Sequence, residues 1–483
     1  MLRSITAIGV LLGTFQPTMA AEQIVTLGDS LTFAYEAEFG FRISIPFNGT
    51  YGDGMPATVR NWIETLNNPL YRHDWFDIGA RRTFTVIDGF QTKRLLFRHE
   101  YNWAIPGATT SQIRDFVTGS RTFTEVIGDD ADGEGFTIGD ALLLTNLSDS
   151  DFSITDLEQQ VRNEAERLTY FVGGNDVRGV YSDLYNNTLS PAQVEAFVAG
   201  FVDDSTTVID QVLTWNPNLP IVIVAVPHIG ITPDIRGTYP NSPIGTARVT
   251  TVLRDLNGRL KQLADSRGLG FADVFEPTLR LLDGAHPLTI HGIPIINDGS
   301  ATGNLNYVWL NGEFSANFHP NTNAQAIIAN IIIDAFNDTY GDEIPLLTAT
   351  EILGGLLKKT PAEIDMTFAS WMTGFGLSGL GEEDDSDQDG LAAVVEFGLG
   401  LDPTYPDADF VKTDTSGGSI ALTYPIRLPT TTRVTVDAET AENLTSFTSI
   451  TPRPSRGSDG YAHAELPITL DRGFLRLNCV LLP

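Results

Sequence analysis

Residues 24–31 read Ile24-Val25-Thr26-Leu27-Gly28-Asp29-Ser30-Leu31. Four apolar and β-branched residues predict a short buried strand, and Gly28 predicts the tight turn that ends it. A serine at the carboxyl end of a strand stands at the mouth of the sheet, where its hydroxyl can meet a substrate. Gly-Asp-Ser also occurs in ordinary turns, so the surrounding pattern has to carry the reading. Similar runs recur at wide spacing: Tyr101 to Ile105, Leu168 to Val172, Ile221 to Val226 and, more weakly, Phe271 to Phe275. Helical patterns lie between them at Pro56 to Leu66, Gln193 to Thr214 and Val249 to Ala264, and a final helix is predicted over Thr322 to Ala335. Strands alternating with helices predict an α/β fold with a parallel sheet. The stretch from Phe41 to His99 exceeds an ordinary connection and predicts a helix plus an insertion over the rim where such sheets bind ligands.

The chain is 483 residues long, enough for two or three folding units, and 42% of it is apolar with 10% aromatic, enough to bury a substantial core. Acidic residues outnumber basic ones 61 to 30, for a net charge of −31. Such a surface repels phosphate backbones and anionic membranes, so nucleic acid is excluded as a partner and membrane adsorption is disfavoured.

Residues 1–20 have the layout of a cleavable signal peptide. Arg3 supplies a positive start, Ile5 to Phe15 an apolar stretch, and Thr18-Met19-Ala20 a small-x-small cleavage site. No other stretch approaches the roughly 20 apolar residues that span a bilayer. The single cysteine, Cys479, cannot form an intramolecular disulfide, which fits export from a bacterial cell better than an animal secretory route. The expected location is secreted or periplasmic.

Three further segments follow the first in order. Asn102-Trp103-Ala104-Ile105-Pro106-Gly107-Ala108-Thr109 lies at the second strand, Gly173-Gly174-Asn175-Asp176 follows the third, and Phe318-His319-Pro320-Asn321 directly precedes the last helix. With Gly28 to Leu31, these resemble one by one the block signatures of the SGNH or GDSL hydrolase family, over roughly residues 23 to 340. The resemblance implies a flavodoxin-like three-layer α/β/α sandwich and ester hydrolysis, with Ser30 as nucleophile and His319 as base. It also implies that the N–H groups of Ser30 and Gly107 and the side-chain amide of Asn175 hold the oxyanion. The chemistry agrees: a serine hydroxyl needs a base to take its proton, and neutral histidine suits that task near pH 7. No cofactor is needed for this catalysis.

The third member of the triad departs from the family pattern, which places an aspartate three residues before the histidine, where this chain has Ala316. Glu313 could reach the imidazole through a longer loop, or a backbone carbonyl could serve. Alternatively, Asp283-Gly284-Ala285-His286-Pro287 is a literal Asp-x-x-His-Pro. His319 ranks above His286 because a helix follows it directly. His228 and His291 read as structural or substrate-lining.

After residue 345 the character changes. Asp385-Ser386-Asp387-Gln388-Asp389-Gly390, with Glu396 at the twelfth position, fits the loop D-x-D-x-D-G-x₅-E at every specified place. Side-chain oxygens of Asp385, Asp387 and Asp389, the Leu391 carbonyl and both oxygens of Glu396 would converge on one structural Ca²⁺. A solvated acidic linker is the competing reading, though a linker has no need of Gly390 and Glu396 in register. Asp385 to Pro403 resembles single calcium loops that lead into C-terminal β-modules of secreted bacterial proteins. From Ser419 onward, alternating Thr, Val, Leu and Tyr with turn residues predict a small all-β module. The expected organisation is a signal peptide at 1–20, a hydrolase domain at 21–345, a linker at 346–381, the calcium loop at 382–405 and the β-module at 406–483.

The reading is an exported carboxylic ester hydrolase acting on an acylated polysaccharide or a lipid ester. The alternatives are a long-chain lipase or thioesterase, and a non-catalytic carbohydrate- or surface-binding protein on the same scaffold.

Overall fold

The computed structural model describes residues 22–35, 59–88, 91–127, 153–282, 288–290, 292–295, 305, 307–310, 318–408, 411–414, 419–425, 433–441, 446–450, 453–454, 461–467 and 474–482. The expected signal peptide lies outside them, as do Glu313, Ala316, Asp283 to Pro287 and His291.

The first unit is mixed α/β. Strand β1 (Ile24–Gly28) is wholly buried, and an antiparallel hairpin, β2 (Arg81–Asp88) and β3 (Gln91–His99), follows it. The remaining sheet strands are β4 (Arg167–Phe171), β5 (Ile221–Val224) and β6 (Gly270–Ala272). They pair in parallel in the order β1-β4-β5-β6. Strands β4 and β5 carry continuous buried runs, as strands covered on both faces should.

The predicted strand at Tyr101 to Ile105 differs in form. It lies along the free edge of β1, with Thr26 N–H donating to the Tyr101 carbonyl (3.0 Å), Trp103 N–H to the Thr26 carbonyl (2.9 Å) and Ile105 N–H to the Gly28 carbonyl (2.9 Å). Only the Asn102 position forms a β-bridge, and the Asn102 side chain is fully buried. Its Oδ1 accepts from Thr26 Oγ1 (2.8 Å) and Ala104 N–H (3.1 Å), and its Nδ2 donates to the Thr32 carbonyl (2.9 Å). Counting this edge segment as the second strand, the order is 2-1-3-4-5, which occurs in doubly wound sheets.

The helices begin and end where the sequence punctuates them. Helix α1 (Thr110–Val117) follows the Asn102–Thr109 segment, and α2 (Gly174–Asn186) opens directly after β4. Helix α3 (Pro191–Trp215) starts with a capping box between Ser190 and Gln193 and with proline in its first turn. Helices α4 (Gly245–Arg267) and α5 (Phe275–Arg280) flank β6. Helix α6 (Thr322–Tyr340) is capped by Asn321 and stops at Gly341 in the left-handed conformation. Helices α4 and α6 both pack on β5 and β6, and α6 also packs on the short helix at Trp62–Leu66.

The stretch 346–381, read from sequence as a linker, is partly helical and well packed. Ile352, Leu353, Leu356 and Leu357 join the main core, and Arg72 reaches both carboxylate oxygens of Glu351 (2.8 and 3.0 Å). Fully buried Trp371 donates its indole N–H to the Gly292 carbonyl (2.7 Å), in the turn between β7 (Leu288–Ile290) and β8 (Ile293–Ile295).

Helix α7 (Ala393–Leu399) leads into the C-terminal strands β9 (Lys412–Asp414), β10 (Ser419–Pro425), β11 (Val434–Ala441), β12 (Thr448–Ile450), β13 (Arg453–Pro454), β14 (Tyr461–Pro467) and β15 (Phe474–Leu481). They form two antiparallel sheets, β13-β14-β10-β9 and β12-β11-β15. Helix α7 packs on β11 and β15.

Gly28 is fixed by close approach: a Cβ there would lie 2.6 Å from the Phe171 carbonyl oxygen and 2.8 Å from Thr32 Oγ1. Backbone cannot retreat from such a contact without parting the strand ends. Gly28→Ala should therefore destabilise the fold by about 1–3 kcal/mol, a drop in melting temperature of several degrees. Thermal unfolding followed by circular dichroism measures it, and an unchanged midpoint would show that the ends of β1 and β4 are not tightly joined.

Candidate active site

Ser30 sits where β1 ends, at the carboxyl rim of the sheet. Its turn is closed by Thr32 and Phe33 N–H groups donating to the Asp29 carbonyl (3.1 and 3.0 Å). The Asp29 carboxylate turns inward, where Oδ1 accepts the Leu31 N–H at 2.9 Å and the N–H groups of Gly173 and Gly174 also donate to it. Burial dominates over these donors, with Asp176 adding repulsion, and pushes the Asp29 carboxyl up to about 7.

The second and third sequence segments meet beside this turn. Asn175, in the first turn of α2, is buried and donates Nδ2–H to the Ala108 carbonyl at 3.0 Å. Its neighbour Asp176 accepts from the Thr110 N–H (3.0 Å) and from Thr110 Oγ1 (2.6 Å), clamping the Gly107–Thr110 turn onto the start of α2. Burial raises the Asp176 carboxyl to about 6 despite these bonds. A Cβ built on Gly174 would lie 3.6 Å from the Phe318 ring and 3.7 Å from Asp29 Oδ2, so this turn touches both the Ser30 turn and the His319 segment.

His319 is held by backbone on one side and by an aromatic ring on the other. Its carbonyl accepts the Leu310 N–H (3.0 Å), and Trp309 and Pro320 form an antiparallel bridge. The Tyr35 ring meets the imidazole edge-on at 6.1 Å between centroids. The Tyr35 hydroxyl donates to the Pro320 carbonyl (2.8 Å) and accepts from Gln325 Nε2 (2.6 Å). Gln325 Oε1 in turn accepts the Trp62 N–H (3.2 Å). Thus the segment just after Ser30 is tied to the one bearing His319.

The structure brings Ser30, Gly107, Asn175 and His319 to one end of the sheet through these shared neighbours, and Gly107 adopts φ +74°. Glu313 and His286 lie outside the described residues. His228 is built into the core. Its Nδ1 accepts the Gly230 N–H (3.1 Å), its Nε2 contacts Thr250 Oγ1 (3.1 Å), and burial pulls its pKa down to about 4. An apolar cavity of about 80 Å³ adjoins the rim, walled by Leu31, His228, Ile229, Leu281, Phe318 and Pro320 among others. Sequence reasoning passed over Asp29, Asp176, Tyr35 and Gln325. The two aspartates stand inside the quoted motifs, next to Ser30 and Asn175, and that adjacency was their signal.

The acidic loop forms a second cluster. Asp385, Asp387 and Asp389 bring carboxylate oxygens within 4.8 Å of one another, and so do Asp389, Glu396 and Asp407. Gly390, at φ +98°, makes the turn that a side chain would strain. Glu396 is 0% exposed, and among the described residues neither of its carboxylate oxygens has a hydrogen-bond partner. Burial and the repulsion of Asp387, Asp407, Asp389 and Asp402 push it up to about 9. A buried carboxylate left without donors beside other carboxylates fits a hard cation with oxygen ligands.

The family profile described as GDSL-like Lipase/Acylhydrolase matches residues 24–332. Among solved structures, the extracellular lipase from Streptomyces rimosus is similar at 15% identity, covering 65% of this chain and 100% of that one, with a TM-score of 0.34. No curated protein matches the sequence. No helix among the described residues is long and apolar enough to cross a membrane.

The raised Asp29 carboxyl has a consequence for stability. The folded chain binds this proton more tightly than the unfolded chain does, so the neutral form stabilises the fold fully below the ordinary aspartate value of 3.8. That contribution is lost as pH rises through about 7. The melting temperature of Asp29→Asn minus that of wild type should therefore increase as pH is raised across this window, whatever constant offset the amide introduces. A difference that stays flat with pH would mean that Asp29 titrates as an ordinary surface aspartate.

Proposed function

The chain belongs to the GDSL-like lipase/acylhydrolase family, and we propose that it is an exported esterase that works through an acyl intermediate on Ser30. The observation that carries this reading is the meeting of three turns at one end of the sheet: those bearing Ser30 and Asn175 share the Asp29 carboxylate, and Tyr35 ties the first to His319. We read the scaffold as a flavodoxin-like three-layer sandwich.

In this mechanism the Ser30 hydroxyl attacks the ester carbonyl carbon while the His319 imidazole takes its proton. The resulting oxyanion accepts hydrogen bonds from the Ser30 and Gly107 N–H groups and from Asn175 Nδ2. An amide carries two N–H bonds, and Asn175 gives one to Ala108, which orients the other toward the reacting oxygen. The leaving alkoxide takes the proton from His319, and water then attacks the acyl-serine by the same route in reverse. Near pH 7 a neutral imidazole can serve as base and its protonated form as acid.

The apolar cavity beside Leu31, Phe318 and Pro320 supports an apolar acyl group on the substrate, from an acylated polysaccharide or a lipid ester. We assign the loop residues Asp385, Asp387, Asp389, Leu391 and Glu396 to a structural Ca²⁺, with no part in bond making.

Ser30→Ala should abolish turnover of chromogenic esters while leaving the fold intact, and a fluorophosphonate probe should label wild type at Ser30 only. Labelling of another serine sinks the assignment. Asn175→Ala should lower kcat by roughly 10²- to 10³-fold with little change in KM, because it removes a donor used in the transition state. A pure KM effect would instead make Asn175 a residue that positions substrate.

A further inference from the structure

We propose that Asp407, eleven residues beyond the end of the twelve-residue loop, is a direct ligand of the calcium ion assigned to Asp385–Glu396. The inference rests on that assignment and extends it to a residue the loop pattern does not contain.

The loop alone supplies six oxygens, the lower limit of the six to eight that calcium takes. Its ninth position, which commonly supplies a ligand directly or through water, is Ala393, whose side chain has none. Asp407 can add a further oxygen, having a carboxylate oxygen within 4.8 Å of those of Asp389 and Glu396. It is 4% exposed; one oxygen accepts the Asp402 N–H at 3.0 Å, and the other, Oδ1, is buried with no hydrogen-bond partner among the described residues. Asp387 Oδ2 is in the same condition, as are both oxygens of Glu396. Four buried acceptor atoms without donors thus come from residues on both sides of Asp389.

The backbone is folded to make this approach. The N–H groups of Asp407 and Ala408 donate to Asp389 Oδ2 at 2.9 and 2.7 Å, and Ser386 Oγ donates to the Pro403 carbonyl. These bonds return the chain onto its own loop after α7. Arg280 stacks over the Tyr405 ring at 4.0 Å and attracts Asp407 from the hydrolase side. A donor set of carboxylates and a carbonyl, without nitrogen or sulfur, suits calcium, which takes six to eight oxygens at flexible geometry.

The test is a calcium titration of the full-length, chelator-stripped chain by isothermal calorimetry, for wild type, Glu396→Gln and Asp407→Asn. Wild type should bind calcium, Glu396→Gln should lose binding, and Asp407→Asn should bind about tenfold more weakly or worse. The calcium-induced rise in melting temperature should shrink in the same order. Asp407→Ser, whose hydroxyl can still accept the Asp402 N–H, answers the same question if the asparagine variant does not fold. Wild-type affinity in the Asp407 variants, with binding lost in Glu396→Gln, would overturn the role of Asp407 and leave the loop assignment standing. No binding by wild type would overturn both.

Discussion

One buried carboxylate holds the Ser30 end of the sheet together. Asp29 accepts the Leu31 N–H from its own turn and the Gly173 and Gly174 N–H groups from the turn after β4. Hydrogen bonds to a charged acceptor contribute about 1.5–3 kcal/mol each, and here they work against the cost of burying the charge. The result is a rigid joint between the serine-bearing and asparagine-bearing turns. Gly28 makes that joint possible by letting the Phe171 carbonyl approach, and Asn102 braces its other side through Thr26 and Thr32.

The two acidic clusters solve opposite problems. At the rim, Asp29 and Asp176 are buried but surrounded by backbone and hydroxyl donors, so protein alone can satisfy them. In the C-terminal loop, Asp385 and Asp389 are met by N–H donors from their own turn, whereas Glu396 receives none from the described residues. The same residue types therefore serve as internal struts in one place and stand as clustered acceptors in the other. The deciding variable is whether a backbone donor faces the buried oxygen.

The sequence disclosed what is local. Runs such as Ile221 to Val224 and the long periods of α3 and α4 carry their structure in their own residues, so the parallel sheet and its helices were readable from pattern. The four motifs were readable because each is contiguous. Contacts between distant segments leave no such trace. The Tyr35–Gln325 bond joins residues 290 positions apart, and the Arg72–Glu351 pair joins residues 279 apart. For that reason residues 346–381 read as a connection although Trp371 is fully buried against the β7–β8 turn. Asn102 was quoted as part of a motif, but nothing in its spacing says that its amide would reach the Thr32 carbonyl, 70 positions away. Asp407 falls outside any loop pattern because it reaches the cluster through tertiary folding of Asp402 to Ala408.

Gly292 and Gly400 meet backbone to backbone: a Cβ on Gly292 would lie 3.0 Å from the Cα and carbonyl carbon of Gly400. Gly292 belongs to the α/β unit, and Gly400 ends α7, the helix seated on the C-terminal sheet. A seam this tight cannot be reproduced by tethering the C-terminal strands to some other enzyme through a flexible spacer. The β-strands after residue 411 are thus a poor cassette for grafting. What would transplant is the whole assembly from Trp371 through the strands, together with a receiving hairpin that offers a bare glycine at its tip.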